Sequence, residues 1–301
     1  MRELEDFKIF KSRTLGQMFM PEGLSYKNNK MLIPTIAHGR SVAIKVSDYR
    51  WVLVKGGGWN YGGPSVYISK KDAELVFGLY SKKSAERELS VSKALETISA
   101  NYPKVLYYKS FCDYPNVEEL KEILNARFSS GAPVDPCLLY TEVRYPYRVA
   151  DLMYLSDADK RKVIKDCCSY WNVNMKSFVP KFIEVFANNV AMMHRNGFVN
   201  DTLEFSNVTM LGEIVDYELI TAPGIPLFDA KYDEWKIPER REKEILYGAE
   251  VVLQLNNLLN KKSNLYDCYS AFVYEYSKRN SIFIDNNENV KAVLNQKDVI
   301  L

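Results

Sequence analysis

The chain has 301 residues, 47% of them apolar and 26% charged, so it is long enough for two domains or for one domain of two lobes. Its 40 basic and 38 acidic residues give a net charge of +2, which does not indicate a nucleic-acid or membrane partner. No apolar run approaches the roughly 20 residues of a membrane span, and the charged start MRELEDFKIFKS lacks the apolar core of a secretory signal, so a cytoplasmic protein is predicted.

Residues 36–68 are predicted to form antiparallel strands. Apolar residues alternate in AHGRSVAIKV and, after an SDYR turn, in WVLVK, the pattern of half-buried strands. Lys55 ends the second run on the same face as Trp51 and Leu53, so its side chain is predicted to point inward. A buried lysine requires an acidic partner.

A glycine cluster, KGGGWNYGG, begins at Lys55. Glycine backbone approaches phosphate closely and presents N–H groups to it, so Gly56 and Gly57 are candidate nucleotide-binding residues. The alternative is a plain glycine-rich loop.

Lys45 ends a second kinase-like motif, Val-Ala-Ile-Lys at 42–45, which matches the third strand of protein kinases. In kinases a full glycine loop and a strand precede this lysine, whereas here only Gly39 lies shortly before it. We therefore predict that Lys45 is an exposed strand lysine and that Lys55 has the nucleotide role.

A helix is predicted over residues 84–98, SAERELSVSKALETI, because the segment has good helix formers and no glycine or proline. Glu88 shares a helix face with Val91 and Leu95, which predicts that it faces the core and pairs with Lys55. A strand lysine paired with a helix glutamate positions ATP phosphates in kinase-like folds.

The remaining pattern predicts an α+β fold with two lobes, residues 1–145 and 146–301. Strand-like runs at 104–111 and 137–145 flank a polar helix, VEELKEILNARF. After Pro146 the chain is mostly helical, with helices predicted at 157–171, 177–197 and 241–262.

A short hairpin is predicted within SNVTMLGEIVDYE, with two strands turning at Leu211-Gly212. This register places Asn207 opposite Asp216, and cross-strand Cβ atoms lie roughly 4.5–5.5 Å apart. An amide oxygen and a carboxylate are ligands that Mg²⁺ accepts, usually together with substrate phosphates. The alternative is an ordinary surface hairpin with polar ends.

Zinc and nucleophilic chemistry are not indicated. The five cysteines are irregularly spaced without a CxxC pair, which predicts reduced thiols. Only two histidines occur, His38 and His194. His194, at a predicted helix end, is assigned a capping or surface role.

The motifs occur in order along three segments: HGRSVAIKVSDYRWVLVKGGG, GLYSKKSAERELSVSKALE and NGFVNDTLEFSNVTMLGEIVDYE. Their order and spacing resemble those of the selenoprotein O family from about residue 36 to about residue 260. Members have a protein-kinase-like two-lobed fold and transfer AMP from ATP to protein hydroxyl groups. The resemblance implies that fold, with an N-terminal antiparallel sheet, one key helix and a mainly helical C-terminal lobe.

The resemblance also implies cofactors and roles. ATP and Mg²⁺ or Mn²⁺ would be the cofactors, and the acceptor would be a Ser, Thr or Tyr hydroxyl of a protein or peptide. Lys55 looks like the ATP lysine and Glu88 its helix partner. The implied phosphate-binding arginines are Arg40, Arg144 and Arg148, and the implied metal ligands are Asn207 and Asp216.

Three departures from the family bear on activity. The residue before the metal asparagine is aspartate in the family and Ser206 here, which leaves Asp201 or Glu204 as replacement bases. The loop NDTLEFSN is also longer than in the family, and read as a kinase loop it places Asp201 six residues before Asn207, one more than the usual five. The chain also carries no terminal redox cysteine. The alternatives to AMP transfer are a phosphotransferase and an inactive nucleotide-binding scaffold.

Overall fold

The computed structural model describes residues 7–11, 17–21, 31–32, 41–56, 80–98, 102–110, 136–200, 202–225 and 237–280. These residues form a mixed α and β structure with an antiparallel sheet. The chain divides into two compact units, one of residues 1–90 and 104–146 and one of residues 91–103 and 147–301. Among the described helices, none combines the length and apolar character that a membrane span requires.

The strands are short and the helices of the second unit are longer. The strands are β1 Phe7–Lys11, β2 Gln17–Pro21, β3 Met31–Leu32, β4 Ser41–Ser47, β5 Arg50–Lys55, β6 Tyr80–Ser81, β7 Lys104–Ser110, β8 Pro136–Val143, β9 Val199–Asn200 and β10 Ile220–Thr221. The helices are α1 Lys82–Leu95, α2 Asp157–Trp171, α3 Phe178–Arg195, α4 Ile237–Leu258 and α5 Leu265–Ser277. Short 3₁₀ helices lie at Val149–Tyr154, Met175–Ser177, Phe205–Asn207 and Tyr217–Leu219.

The main sheet belongs to the first unit and has the order β3-β4-β5-β8-β6, with β7 also paired to β8. All of its pairs are antiparallel. The predicted SDYR turn is confirmed between β4 and β5, where Tyr49 has a φ of +54°. At the end of β5, Lys55 lies opposite Ser41 on one side and Leu139 on the other. This register fixes the backbone of Lys55 between two neighbouring strands.

Helix α1 begins two residues before the predicted start because Ser81 caps it. Its Oγ accepts a hydrogen bond from Ser84 N at 3.1 Å, which satisfies one of the free N–H groups of the first turn. The first unit includes this helix up to Ser90, and the second unit includes it from Val91 onward. The predicted polar helix at 117–128 lies outside the described residues.

The core of the second unit contains a row of aromatic rings in tilted and edge-to-face contact. Phe178, Phe182 and Phe186 are spaced four residues apart on α3, so they share one helix face. Their ring centroids lie 6.5 Å and 5.6 Å apart, and Phe272 of α5 continues the row at 5.4 Å. Gly248 of α4 makes room for the Phe272 ring, because a Cβ there would lie 2.4 Å from Phe272 Cζ. Helices α3, α4 and α5 therefore pack around aromatic side chains.

Candidate functional site

A buried ion pair joins β5 to α1 in the first unit. Lys55 Nζ lies 2.9 Å from Glu88 Oε1, and the two side chains are 11% and 3% exposed. The predicted inward lysine and its glutamate partner are confirmed. The hydroxyl of Tyr80 donates to the same Glu88 oxygen, and the Tyr80 ring centroid lies 4.2 Å from Lys55 Nζ. The lysine ammonium is thus held by a carboxylate and an aromatic face.

Gly56, the residue after Lys55, occupies a position that requires glycine. Its φ is +99°, a region that L residues with a side chain rarely adopt. A Cβ there would lie 2.5 Å from Cys137 O and 2.6 Å from Tyr80 Cβ. Gly57 lies outside the described residues. The start of the glycine cluster is therefore set by close packing against β8 and β6.

Gly56→Ala is expected to lower the free energy of unfolding by about 2–4 kcal/mol, because it adds a steric clash to backbone strain. Gly224→Ala is the matched control: its φ is +72°, but nothing lies within 4 Å of the added Cβ. We expect the control to lower the free energy of unfolding by about 1 kcal/mol, from backbone strain alone. Urea unfolding of both variants measures the difference, and equal effects would contradict the steric explanation.

Lys45 is exposed, as predicted. Its side chain is 47% exposed, and Nζ lies 2.7 Å from Asp48 Oδ1. The hydrogen bond and charge of Lys45 lower the pKa of the Asp48 carboxyl. Because this pair is exposed to water, it adds little to stability.

The predicted hairpin of the second unit is present, but its register differs from the prediction. Val208 and Ile214 form an antiparallel bridge, and Val215 N donates to Asn207 O at 2.9 Å. Asn207 therefore lies opposite Val215, and the predicted pairing of Asn207 with Asp216 is wrong.

The register differs because the loop has three residues and not two. Thr209 N donates to Glu213 O and Gly212 N donates to Thr209 O, both at 2.8 Å. Gly212 has a φ of +74°, the left-handed conformation that closes a three-residue hairpin loop. Asn189 of α3 holds this conformation, since its Nδ2 donates to Gly212 O at 2.8 Å. Leu-Gly does not favour the two-residue turn that was predicted.

One hydrogen bond fixes the orientation of the Asn207 side chain. Its Nδ2 donates to Thr202 O at 2.9 Å. A carbonyl only accepts, so the amide nitrogen faces Thr202 and Oδ1 faces away. Within the described part of the chain, no hydrogen bond engages this Oδ1. An amide oxygen presented in this way fits the preference of Mg²⁺ for oxygen ligands.

Asp216 follows the hairpin in a left-handed conformation, with φ 69° and ψ 76°. Aspartate and asparagine are among the few residues with a side chain that adopt it readily. One carboxylate oxygen of Asp216 lies within 4.8 Å of one from Glu218. Glu218 was not predicted, and its position two residues after Asp216 is the signal that the sequence offers. Carboxylate oxygens are ligands that a hard cation accepts.

The predicted arginines have different surroundings. Arg144 follows β8 and is partly exposed. Arg148 is also partly exposed, and its Nη1 donates to Ser206 O at 2.8 Å. Burial raises the pKa of the neighbouring Tyr147 hydroxyl, and Asp151 raises it further. Arg40 and the candidate base Asp201 lie outside the described residues.

His194 is fully buried, so its predicted surface role is wrong. The last turn of α3 packs against α4 and α5, which cover the imidazole. His194 Nε2 lies 2.7 Å from Glu244 Oε2, and Nδ1 lies 2.8 Å from the Tyr276 hydroxyl. Glu244 also accepts hydrogen bonds from Asn200 N at 2.9 Å and 3.0 Å. One buried carboxylate thus connects a histidine to the backbone residue that precedes Asp201.

The hydrogen bonds of this network determine the histidine tautomer. Asn280 Nδ2 donates to the Tyr276 oxygen at 2.8 Å, which leaves the hydroxyl proton for His194 Nδ1. His194 Nε2 then carries the proton that it donates to Glu244. Burial raises the pKa of the Tyr276 hydroxyl, so the phenol keeps its proton.

No protein-family model and no curated protein matches this sequence. The resemblance to the selenoprotein O family therefore depends on the motifs alone.

Proposed function

We propose that this protein has a protein-kinase-like two-lobed fold, binds ATP with Mg²⁺ or Mn²⁺ and transfers AMP to a protein or peptide hydroxyl. The observation that carries the proposal is the buried Lys55–Glu88 ion pair, with its 2.9 Å contact. A buried ion pair adds little net stability, because desolvation offsets the attraction between the charges. In kinases the same pairing of strand lysine and helix glutamate positions ATP phosphates.

The proposed roles follow from the charges of the residues. Lys55 would bind the phosphates as a point charge, with Glu88 holding the ammonium in place. The amide of Asn207 and the carboxylate of Asp216 would hold the metal ion, with Glu218 as a further carboxylate. When bound, the ion neutralises phosphate charge and orients the reacting groups.

The proposed reaction moves the adenylyl group. The acceptor hydroxyl oxygen forms a bond to the α-phosphorus, the bond from that phosphorus to the bridging oxygen breaks, and pyrophosphate leaves. The acceptor proton passes to a base, for which Asp201 is the sequence candidate. Arg40 and Arg144 would stabilise the charge on the departing pyrophosphate. The resemblance to the selenoprotein O family supports AMP transfer over phosphoryl transfer.

A second candidate function is nucleotide binding without turnover. The observation that favours it is Ser206, a residue without a carboxylate at the position before Asn207. Its Oγ lies 3.5 Å from Oε2 of Glu204, an exposed residue. A general base contributes about 10²–10⁴-fold to the rate of a transfer reaction. Without one, the protein would bind the nucleotide with little or no turnover.

Intact-mass measurement after incubation with Mg²⁺-ATP separates these functions. We expect AMP added to the protein itself or to a supplied acceptor protein, together with released pyrophosphate. Added phosphate without AMP would instead identify a phosphotransferase. A thermal shift with Mg²⁺-ATP and no covalent product would support the second candidate, and neither a shift nor a product would reject both.

Asp216→Asn is expected to reduce metal-dependent transfer by about 10²–10⁴-fold, which corresponds to several kcal/mol of lost transition-state stabilisation. Asparagine tolerates the left-handed backbone of this position, whereas alanine adds strain, so the substitution removes charge without disturbing the fold. Product formation over a Mg²⁺ titration measures the effect. Lys45→Ala is the control and should retain full activity, and unchanged activity in Asp216→Asn would refute the metal role.

A further inference from the structure

Arg148 lies in an extended segment that pairs with the first strand of the hairpin. Val149 N donates to Val208 O at 2.9 Å, and Met210 N donates to Tyr147 O at 2.8 Å. Arg148 itself forms an antiparallel bridge with Thr209. The backbone of Arg148 is therefore fixed against the strand that begins just after Asn207.

The guanidinium of Arg148 holds the peptide unit that leads into Asn207. Its Nη1 donates to Ser206 O at 2.8 Å. The N–H of the same peptide unit, Asn207 N, donates to Glu204 O at 2.8 Å. Both ends of the unit are bonded, so the Cα of Asn207 has little freedom to move. The buried carboxylate of Asp151 fixes the backbone of Arg148, since its Oδ2 accepts from Arg148 N at 2.7 Å.

We propose that Arg148 is a positioning residue for Asn207, and that it sets the metal affinity of the site by holding the Ser206–Asn207 peptide unit. This inference rests on the metal role of Asn207 in the proposed function. It differs from the phosphate-binding role that the family resemblance implies for Arg148. Groups that orient a metal ligand typically change metal affinity by about 10–100-fold when they are replaced.

The two roles of Arg148 predict different binding defects. If Arg148 positions Asn207, replacing it lowers the affinity for the metal ion. Nucleotide affinity at saturating metal then stays nearly unchanged. If Arg148 binds phosphate, replacing it weakens nucleotide binding even without metal, because its charge acts directly on the phosphates. A double-mutant cycle with Asn207 adds a second distinction, since a residue that acts through Asn207 has no effect once Asn207 is removed.

The test measures Mn²⁺ binding from the electron paramagnetic resonance signal of free Mn²⁺, with a nonhydrolysable ATP analogue present. We expect Arg148→Gln to weaken Mn²⁺ binding by about 10–100-fold. Arg161→Gln, at an exposed position of α2, should match the wild type. In the Asn207→Ala background, Arg148→Gln should change Mn²⁺ affinity by less than about twofold. Thermal unfolding of each variant reports whether it is folded, and Arg148→Lys replaces Arg148→Gln if the latter is not.

Three results would overturn the inference: unchanged Mn²⁺ affinity in Arg148→Gln, weakened analogue binding without metal, or an undiminished effect of Arg148→Gln in Asn207→Ala. A wild-type protein that binds no Mn²⁺ would overturn both this inference and the metal role. Mn²⁺ binding without AMP transfer would reject only the proposed reaction, and the Arg148 variants would still decide the positioning role.

Discussion

Lys55→Met is expected to lower the free energy of unfolding by about 3–5 kcal/mol and to abolish the proposed AMP transfer. Removing one partner of a buried ion pair leaves the other charge uncompensated, and Glu88 is only 3% exposed. Urea unfolding measures the first effect, and incubation with labelled ATP measures the second. Lys45→Met is the matched control in the neighbouring strand, and its unfolding free energy should change by less than about 0.5 kcal/mol.

A compensating variant separates the structural from the functional role of this pair. Replacing Lys55 by Met together with Glu88→Leu and Tyr80→Phe removes both charges and the hydroxyl that donates to Glu88. Apolar replacement of a whole buried pair is often neutral, so stability should return to within about 1–2 kcal/mol of the wild type. AMP transfer should stay absent. Transfer by this variant, or by Lys55→Met alone, would refute the role of Lys55 in nucleotide binding.

The second large effect is expected for Glu244→Ala, which should lower the free energy of unfolding by about 3–5 kcal/mol. The substitution leaves His194 Nε2 and Asn200 N buried without their acceptor, and each buried group without a partner costs about 1–3 kcal/mol. Urea unfolding measures the loss. Glu242→Ala, at an exposed position of the same helix, is the control and should change the unfolding free energy by less than about 0.5 kcal/mol.

Glu244→Gln refines this prediction. Glutamine keeps an oxygen acceptor for Asn200 N but removes the negative charge that His194 faces, so the expected loss is about 1–3 kcal/mol. A loss as large as that of Glu244→Ala would show that charge dominates the network. No measurable loss in either variant would contradict the buried hydrogen bonds described above.

Caps mark helix ends in this sequence, but only those of α2 were predicted correctly. Helix α2 has the predicted bounds because Ser156 caps its start and Asn172 adopts the left-handed conformation at its end. Helix α5 was not predicted. Its sequence, LYDCYSAFVYEYS, is rich in aromatic residues that favour strands, and packing against α3 and α4 overrides that preference. The cap that marks its start, Asn264, accepts from Asp267 N at 2.8 Å.

The ion pair was predictable because the strand pattern and the helix pattern each place one of its side chains on the core-facing side. The strand period of two turns Lys55 inward, and the helix period turns Glu88 inward. Tyr80 was missed because the sequence does not show that β6 pairs with β8. The His194–Glu244 pair spans fifty positions of sequence, and only tertiary packing brings its members together. The hairpin register depended on how many residues form the loop, which Leu-Gly alone does not specify.

The contact between Gly248 and the Phe272 ring has a consequence for tracing ancestry. A side chain at 248 would displace the Phe272 ring or the helices, since even a methyl carbon meets the ring at 2.4 Å. A descendant without the proposed metal ligands or Lys55 would still need a small residue here for the same packing of the Phe272 ring. A glycine facing an aromatic ring across these helices is thus a criterion for finding distant relatives whose chemistry has diverged.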